Sequence, residues 1–126
     1  MSATLRSVSL LRSFGFALDG VSYLIRTQRS AQIEIVVGVV VIVVAAWVGI
    51  SAIEWAVLVL VMALVLALEA LNTAIELAVT LASPERHPLA KAAKDVAAAM
   101  VLIAAIGAVF VGMIVLGPRL AAVGGF

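Results

Sequence analysis

The sequence predicts an all-α membrane protein, with one N-terminal amphipathic surface helix and three transmembrane helices in a single domain over residues 1–126. Two observations carry this. Of its 126 residues, 66% are hydrophobic and only 12% charged, well above the apolar share of an average soluble domain. The apolar residues also fall in three blocks, Ile35 to Ile50, Trp55 to about Leu81 and Val96 to Leu116, each near the roughly 20 residues that cross a hydrocarbon core. The absence of cysteine removes disulfides and thiolate chemistry. A net charge of +1 gives no reason to expect a nucleic-acid partner.

Residues 7–29 are expected to form the surface helix: Leu10, Phe14, Ala17, Val21 and Leu24 or Ile25 line one side, while Arg12, Asp19 and Arg26 line the other. Such a helix lies in the interface plane, as a plain anchor or as a cover over a site. Arg6, Arg12, Asp19, Arg26 and Arg29 interrupt this region, so no cleavable signal peptide is expected. The first span, about residues 33–50, is rich in Val and Ile. Glu34 at its entrance is expected to reach water by snorkelling. Gly49-Ile50-Ser51 then turns the chain at an interface marked by Trp47 and Trp55, and Glu54 beside it is expected to be a solvated end residue.

The second span, about residues 55–81, stops at Ser83-Pro84, because proline lacks an amide donor and restricts the residue before it. Pro88 confines the loop SPERHPLAKAAKD, which leads into the third span, about residues 94–116. Lys91 and Asp95, four residues apart, suit a surface ion pair. The third span contains Ala97, Ala98, Ala99, Ala104, Ala105, Gly107, Ala108 and Gly112, and small residues let transmembrane helices approach closely. Three spans enclose little interior, so a homo-oligomer is expected. Four arginines precede the first span and Arg86, Lys91 and Lys94 follow the second, whereas the turn at residues 49–54 has no basic residue. The N-terminus is therefore expected in the cytoplasm and the C-terminus outside, with Arg119 the one exception.

One stretch stands against this apolar background. EALNTAIE, residues 69–76, follows an apolar run with no ionisable residue, and Glu69, Asn72, Thr73, Glu76 and Thr80 recur every three or four positions. They share a helical stripe roughly 100° wide. An ionisable side chain inside a span costs about 2.5 to 3.5 kcal/mol on the lenient insertion scale, which marks a functional site. Glu69 lies ~21 Å along the helix axis from Trp55, in the inner part of the bilayer, and Glu76 ~10 Å further on, near the cytoplasmic headgroups. Lys94 re-enters the membrane close to where Glu76 leaves it.

Carboxylates, an amide, a lysine and an aspartate at such a boundary suit phosphoryl transfer, which needs a base for the acceptor hydroxyl, a divalent cation on the phosphates and cationic donors. Glu69 is placed to meet a lipid hydroxyl, Glu76 a magnesium ion, and residues 85–95 a nucleotide. No Walker loop of the GxxxxGK[ST] type is present. A small proton-coupled transporter uses buried carboxylates equally well, and spacing alone leaves the two readings level.

EALNTAIE, SPERHPLAKAAKD and AAAMVLIAAIGA, with SFGFALDGVSYLIRTQRS before them, resemble the prokaryotic diacylglycerol kinase and undecaprenol kinase family of small integral membrane enzymes over roughly residues 13–116. The resemblance implies a homotrimeric bundle in the bacterial inner membrane, with active sites shared between subunits at the cytoplasmic face. The implied reaction moves the γ-phosphoryl group of ATP to a lipid alcohol, with Mg2+. Position by position, Glu69 matches the general base, with Asn72 orienting its neighbours, and Glu76 matches a metal-binding carboxylate. Lys94 and Asp95 match the nucleotide-binding AKD motif, Glu85, Arg86 and His87 occupy the nucleotide-contacting loop, and Phe16 joins the nucleotide-binding set. Gln28 stands where the family usually has a second metal-binding glutamate, and Thr80 where an aspartate is common. SPERHPLAK resembles the undecaprenol branch, while the acceptor itself depends on groove shape.

Overall fold

A computed structural model describes residues 3–125 as four helices: α1 (Ala3–Thr27), α2 (Arg29–Val48), α3 (Ala52–Ala82) and α4 (Pro88–Val123). The side chains of residues 1–7, Arg6 and Ser7 among them, lie outside what is described. All four helices are long and apolar enough to cross a membrane, one more than the sequence suggests. Their mean hydropathies separate them: 1.3 over Val8–Thr27 against 2.5, 2.3 and 2.8 for α2, α3 and α4.

The predicted surface helix ends two residues early, because Gln28 is extended (φ −105°, ψ 109°). Two contacts stitch this corner: the Gln28 amide N–H reaches the Leu24 carbonyl at 3.0 Å, and the Gln32 side-chain amide reaches back to the Ile25 carbonyl at 2.8 Å. At the far end of α2, Gly49 takes a left-handed conformation (φ 72°), which glycine adopts at no steric cost.

Ser51 then caps α3. Its hydroxyl accepts the Glu54 amide N–H (3.2 Å), while the Glu54 carboxylate accepts the Ser51 amide N–H (3.1 Å), satisfying two otherwise orphaned donors. Arg119, 65 residues further along, donates to the same Glu54 carboxylate and to the Gly49 carbonyl. Glu54 is therefore not the solvated end residue the sequence suggests, since the cap and the ion pair together leave its side chain 27% exposed. The Arg119 guanidinium, followed by the Ser51 contacts, holds the Glu54 carboxyl below its usual range. The pairing also explains how Arg119 departs from the charge asymmetry of the chain, because its charge is balanced on the spot.

α3 and α4 form the most extensive helix pair. On α2, Ala31 and Ala45 are buried, with Glu34, Gly38, Val41 and Val48 half-buried between and beyond them. Ala31, Gly38 and Ala45 recur every seventh residue, so a seam of small side chains faces α3, where a Cβ on Gly38 would sit 3.6 Å from Met62 Sδ. The apolar core gathers at one end of the bundle, where Ala45, Leu58, Val115 and Leu116 pack with Trp55, Ile50 and Val111. The polar part of α3 lies at the other end. At 36 residues α4 is ~54 Å long, which is why it overruns the predicted 94–116 segment at both ends. It continues past Pro118 with Arg119 anchored to the α2–α3 turn.

Candidate active site

The inward face of α3 changes character along its length: Leu58 and Val65 are buried near the core, and one to two turns on the same face carries Glu69 and Thr73, 2% and 4% exposed. Thr73 donates its hydroxyl to the Glu69 backbone carbonyl (3.0 Å), so that hydroxyl does not serve the Glu69 carboxylate. One carboxylate oxygen of Glu69, Oε2, and the Asn72 carbonyl oxygen Oδ1 are shielded from solvent with no hydrogen-bond partner. A buried acceptor left unpaired costs about 1 to 3 kcal/mol, so this end of the helix is built to receive a donor.

Two turns beyond Glu69, α3 and α4 diverge around an open crevice of about 750 Å³ lined by Glu76, Leu77, Thr80, Leu81, Pro84 and Lys94. That volume falls in the ~300–1,000 Å³ range of small-molecule sites. Lys94 is held across the crevice by donating its ammonium to the Thr80 hydroxyl at 2.8 Å. The sequence-predicted neighbours Glu76 and Lys94 thus line one crevice, and Thr80, the last residue of the predicted polar stripe, tethers the lysine. Among the described residues no three His, Cys, Asp or Glu side chains cluster as a metal cage. A single crevice carboxylate still fits magnesium, which keeps several waters and is commonly bound through one or two carboxylates plus substrate phosphates.

The other predicted residues are spread more widely within one chain. Asp95, one residue from Lys94, turns away to pair with Lys91 at 2.6 Å, with both side chains largely exposed, and this contact raises the Lys91 ammonium above its ordinary value. Glu85 and Arg86 are exposed in the α3–α4 connection, where the Glu85 carbonyl accepts the Ser83 hydroxyl. His87 has a structural job the sequence did not announce. It is the N-cap of α4, with Nδ1 accepting the Leu89 amide N–H at 3.1 Å ahead of Pro88 in the first turn. Gln28 sits at the α1–α2 corner with its amide nitrogen on the Thr27 hydroxyl, and Phe16 on α1 is 71% exposed. Neither lines the crevice of its own chain.

Glu34 corrects a further expectation. It is half-buried rather than snorkelled into water, with its own Oε2 shielded and unpaired. The signal was present in the spacing: Glu34 lies between Ala31 and Gly38 on the small-residue seam that turns toward α3.

Residues 15–116 match the family profile of prokaryotic diacylglycerol kinase. Among curated proteins, the chain is 48% identical to a Synechocystis diacylglycerol kinase over 113 residues, covering 89% of this chain and 65% of that protein, so it spans somewhat less than two thirds of that relative's length. It is 38% identical to the Bacillus subtilis undecaprenol kinase over 86% of this chain and 89% of that one. With the Escherichia coli diacylglycerol kinase it shares 33% identity over 85% and 88% of the two chains. A profile match that takes in α2, α3, the second half of α1 and α4 up to Leu116, and with them both halves of the polar face, shows that this chain belongs to the prokaryotic diacylglycerol kinase family, a family of lipid kinases.

Proposed function

We propose that this protein transfers the γ-phosphoryl group of ATP to the hydroxyl of a membrane lipid alcohol, undecaprenol or diacylglycerol, with Mg2+. The observation that carries the reading is the division of one helix face into a buried, unpaired carboxylate at Glu69 and an open, lysine-bearing crevice at Glu76. The first suits a hydroxyl presented from the lipid side. The second suits polyphosphate arriving from water.

In this reading Glu69 accepts the proton of the lipid hydroxyl as its oxygen attacks the γ-phosphorus and the bond to the bridging oxygen breaks, ADP leaving with the electron pair. Asn72, one turn along, holds the reacting groups by hydrogen bonding. Lys94, pre-placed by Thr80, meets the phosphates, with Asp95, Glu85, Arg86, His87 and Phe16 completing the nucleotide site. Glu76, assisted by Gln28, would hold magnesium, which supplies charge neutralisation on the β- and γ-phosphates.

The whole is proposed as a homotrimer in the bacterial inner membrane, with α2, α3 and α4 spanning, α1 lying along the surface and the site at the cytoplasmic face. Few hydrophobic side chains are buried in one protomer, while large apolar residues are exposed on every helix, so further copies and lipid supply the remaining contacts. The dispersed Gln28 and Phe16 suit a site completed by a neighbouring subunit. The basic residues Arg26, Arg29, Arg86, Lys91 and Lys94 gather at the crevice end, consistent with a cytoplasmic location. The test is an ATP- and magnesium-dependent phosphorylation assay comparing undecaprenol with diacylglycerol in mixed micelles. Turnover of either lipid supports the proposal, whereas ATP-independent proton flux in vesicles without lipid phosphorylation refutes it.

A further inference from the structure

We infer that Thr80 is a positioning residue that sets nucleotide affinity: its hydroxyl fixes the Lys94 ammonium at the crevice and, being uncharged, leaves that charge to the polyphosphate. The inference rests on the reading of the crevice as the nucleotide's.

Thr80 stands in the last turn of α3 and Lys94 in the second turn of α4, and both line the same crevice. Their 2.8 Å contact joins the two helices there, between side chains 14 residues apart in the chain. A lysine left to itself sweeps its charge through a wide volume on a flexible four-carbon stem. Lys94 is instead half-buried, with its tip held. An ammonium has three hydrogens to donate; one goes to Thr80, and the others stay available to phosphate oxygens. Ordering the group before the ligand arrives lowers the cost of binding.

Lys91, one turn earlier on the same helix, supplies the contrast. Its ammonium lies 2.6 Å from the Asp95 carboxylate, with the two side chains 79% and 63% exposed, and neither residue lines the crevice. There a carboxylate cancels a lysine charge that water already screens. At the crevice a hydroxyl holds the lysine, which orients the ammonium without cancelling it. Glu76 and Lys94 balance in formal charge among the crevice residues, so a carboxylate at position 80 would leave an excess of negative charge facing an anionic ligand. A neutral tether is the one that serves polyphosphate.

The experiment measures binding of the nonhydrolysable β,γ-imido analogue of ATP to the full-length protein in detergent, by equilibrium dialysis at saturating magnesium. It is paired with kcat at saturating ATP on undecaprenol and diacylglycerol, and with thermal unfolding of each variant. Thr80→Val keeps the shape and deletes the hydroxyl, so Kd is expected to rise about three- to tenfold while kcat stays within about twofold. Thr80→Ala repeats the deletion with a smaller side chain. Thr80→Ser restores the hydroxyl and is expected to bind within about twofold of wild type, whereas Thr80→Asp keeps an acceptor but adds charge and is expected to bind at least as weakly as Thr80→Val. In a Lys94→Met background Thr80→Val is expected to weaken binding by less than about twofold further, because it acts through the lysine. Wild-type affinity in Thr80→Val or Thr80→Asp, no recovery in Thr80→Ser, a kcat that falls as far as affinity, or a full additional loss on top of Lys94→Met overturns the inference. Lys94→Met alone is the separate control: wild-type affinity there refutes the crevice as the nucleotide site, whereas weak binding in Lys94→Met beside wild-type binding in Thr80→Val overturns the role of Thr80 alone.

Discussion

Glu69→Gln separates catalysis from stability, because the two are expected to move independently at this position. The side chain is 2% exposed and one of its oxygens has no partner, so the substitution changes neither volume nor packing. The Gln amide keeps the size and shape of the carboxylate, and stability is expected to hold to within about 1 kcal/mol. Turnover falls. A positioned general base contributes about 10²- to 10⁴-fold, which is ~2.7 to 5.5 kcal/mol of transition-state stabilisation, and an amide cannot take up the hydroxyl proton. The assay is lipid-dependent ADP release in mixed micelles, paired with thermal unfolding of the same preparation. Near-normal kcat would refute the base assignment. A fall in thermal stability that parallels the loss of activity would refute the view that the lost function is chemical.

Three further outcomes test other parts of the structure. The Glu54 carboxyl is held low by Arg119 and the Ser51 cap, so its stabilisation is present above the unfolded value of about 4.3 and is lost as pH falls through the lowered folded value. The difference in melting temperature between wild type and Glu54→Gln is therefore expected to stay constant from about pH 7 to about pH 5 and to shrink below that; a difference unchanged down to pH 3 would refute the pairing. Gln28→Glu is expected to lower the magnesium concentration for half-maximal turnover by about three- to tenfold, the scale of one added ~1.4 kcal/mol contact, and an unchanged titration would remove Gln28 from the metal site. His87→Ala is expected to cost ~1 kcal/mol of stability through the lost cap and to raise the KM for ATP. His87→Asn, which restores a capping oxygen, is expected to recover the stability but not the KM, and full recovery of both would limit His87 to the helix end.

The helices were legible because each boundary has a local cause. Pro84 and Pro88 bracket the α3–α4 connection, Gly49 supplies the left-handed residue that ends α2, and the apolar blocks match α2, α3 and α4. The Lys91 and Asp95 pair was readable for the same reason, since four residues on a helix bring side chains together in any context. The approach of Glu76 to Lys94 followed from a short connection between two antiparallel helices.

What escaped local reading depended on partners distant in the chain. Glu54 and Arg119 are 65 residues apart, and nothing around Glu54 announces the arginine. Thr80 looked like a lost charge until α4 brought Lys94 against it. Glu34 looked like a residue at a helix entrance, and its inward direction was encoded only in the seven-residue spacing of Ala31, Gly38 and Ala45, which has meaning once another helix lies against it.

By itself the sequence determined the membrane class, the approximate positions of the three most apolar helices and the polar face of α3, because hydrophobic length, proline and glycine stops and helical periodicity act over a few neighbouring residues. Tertiary structure decided which polar groups meet. It turned Glu34 inward from the helix entrance, tied Lys94 to Thr80 and closed the opposite end with Arg119 on Glu54. The physical reason is that burial and pairing belong to the packed helices jointly: a carboxylate's cost and its use depend on which donors the neighbouring helix brings within reach.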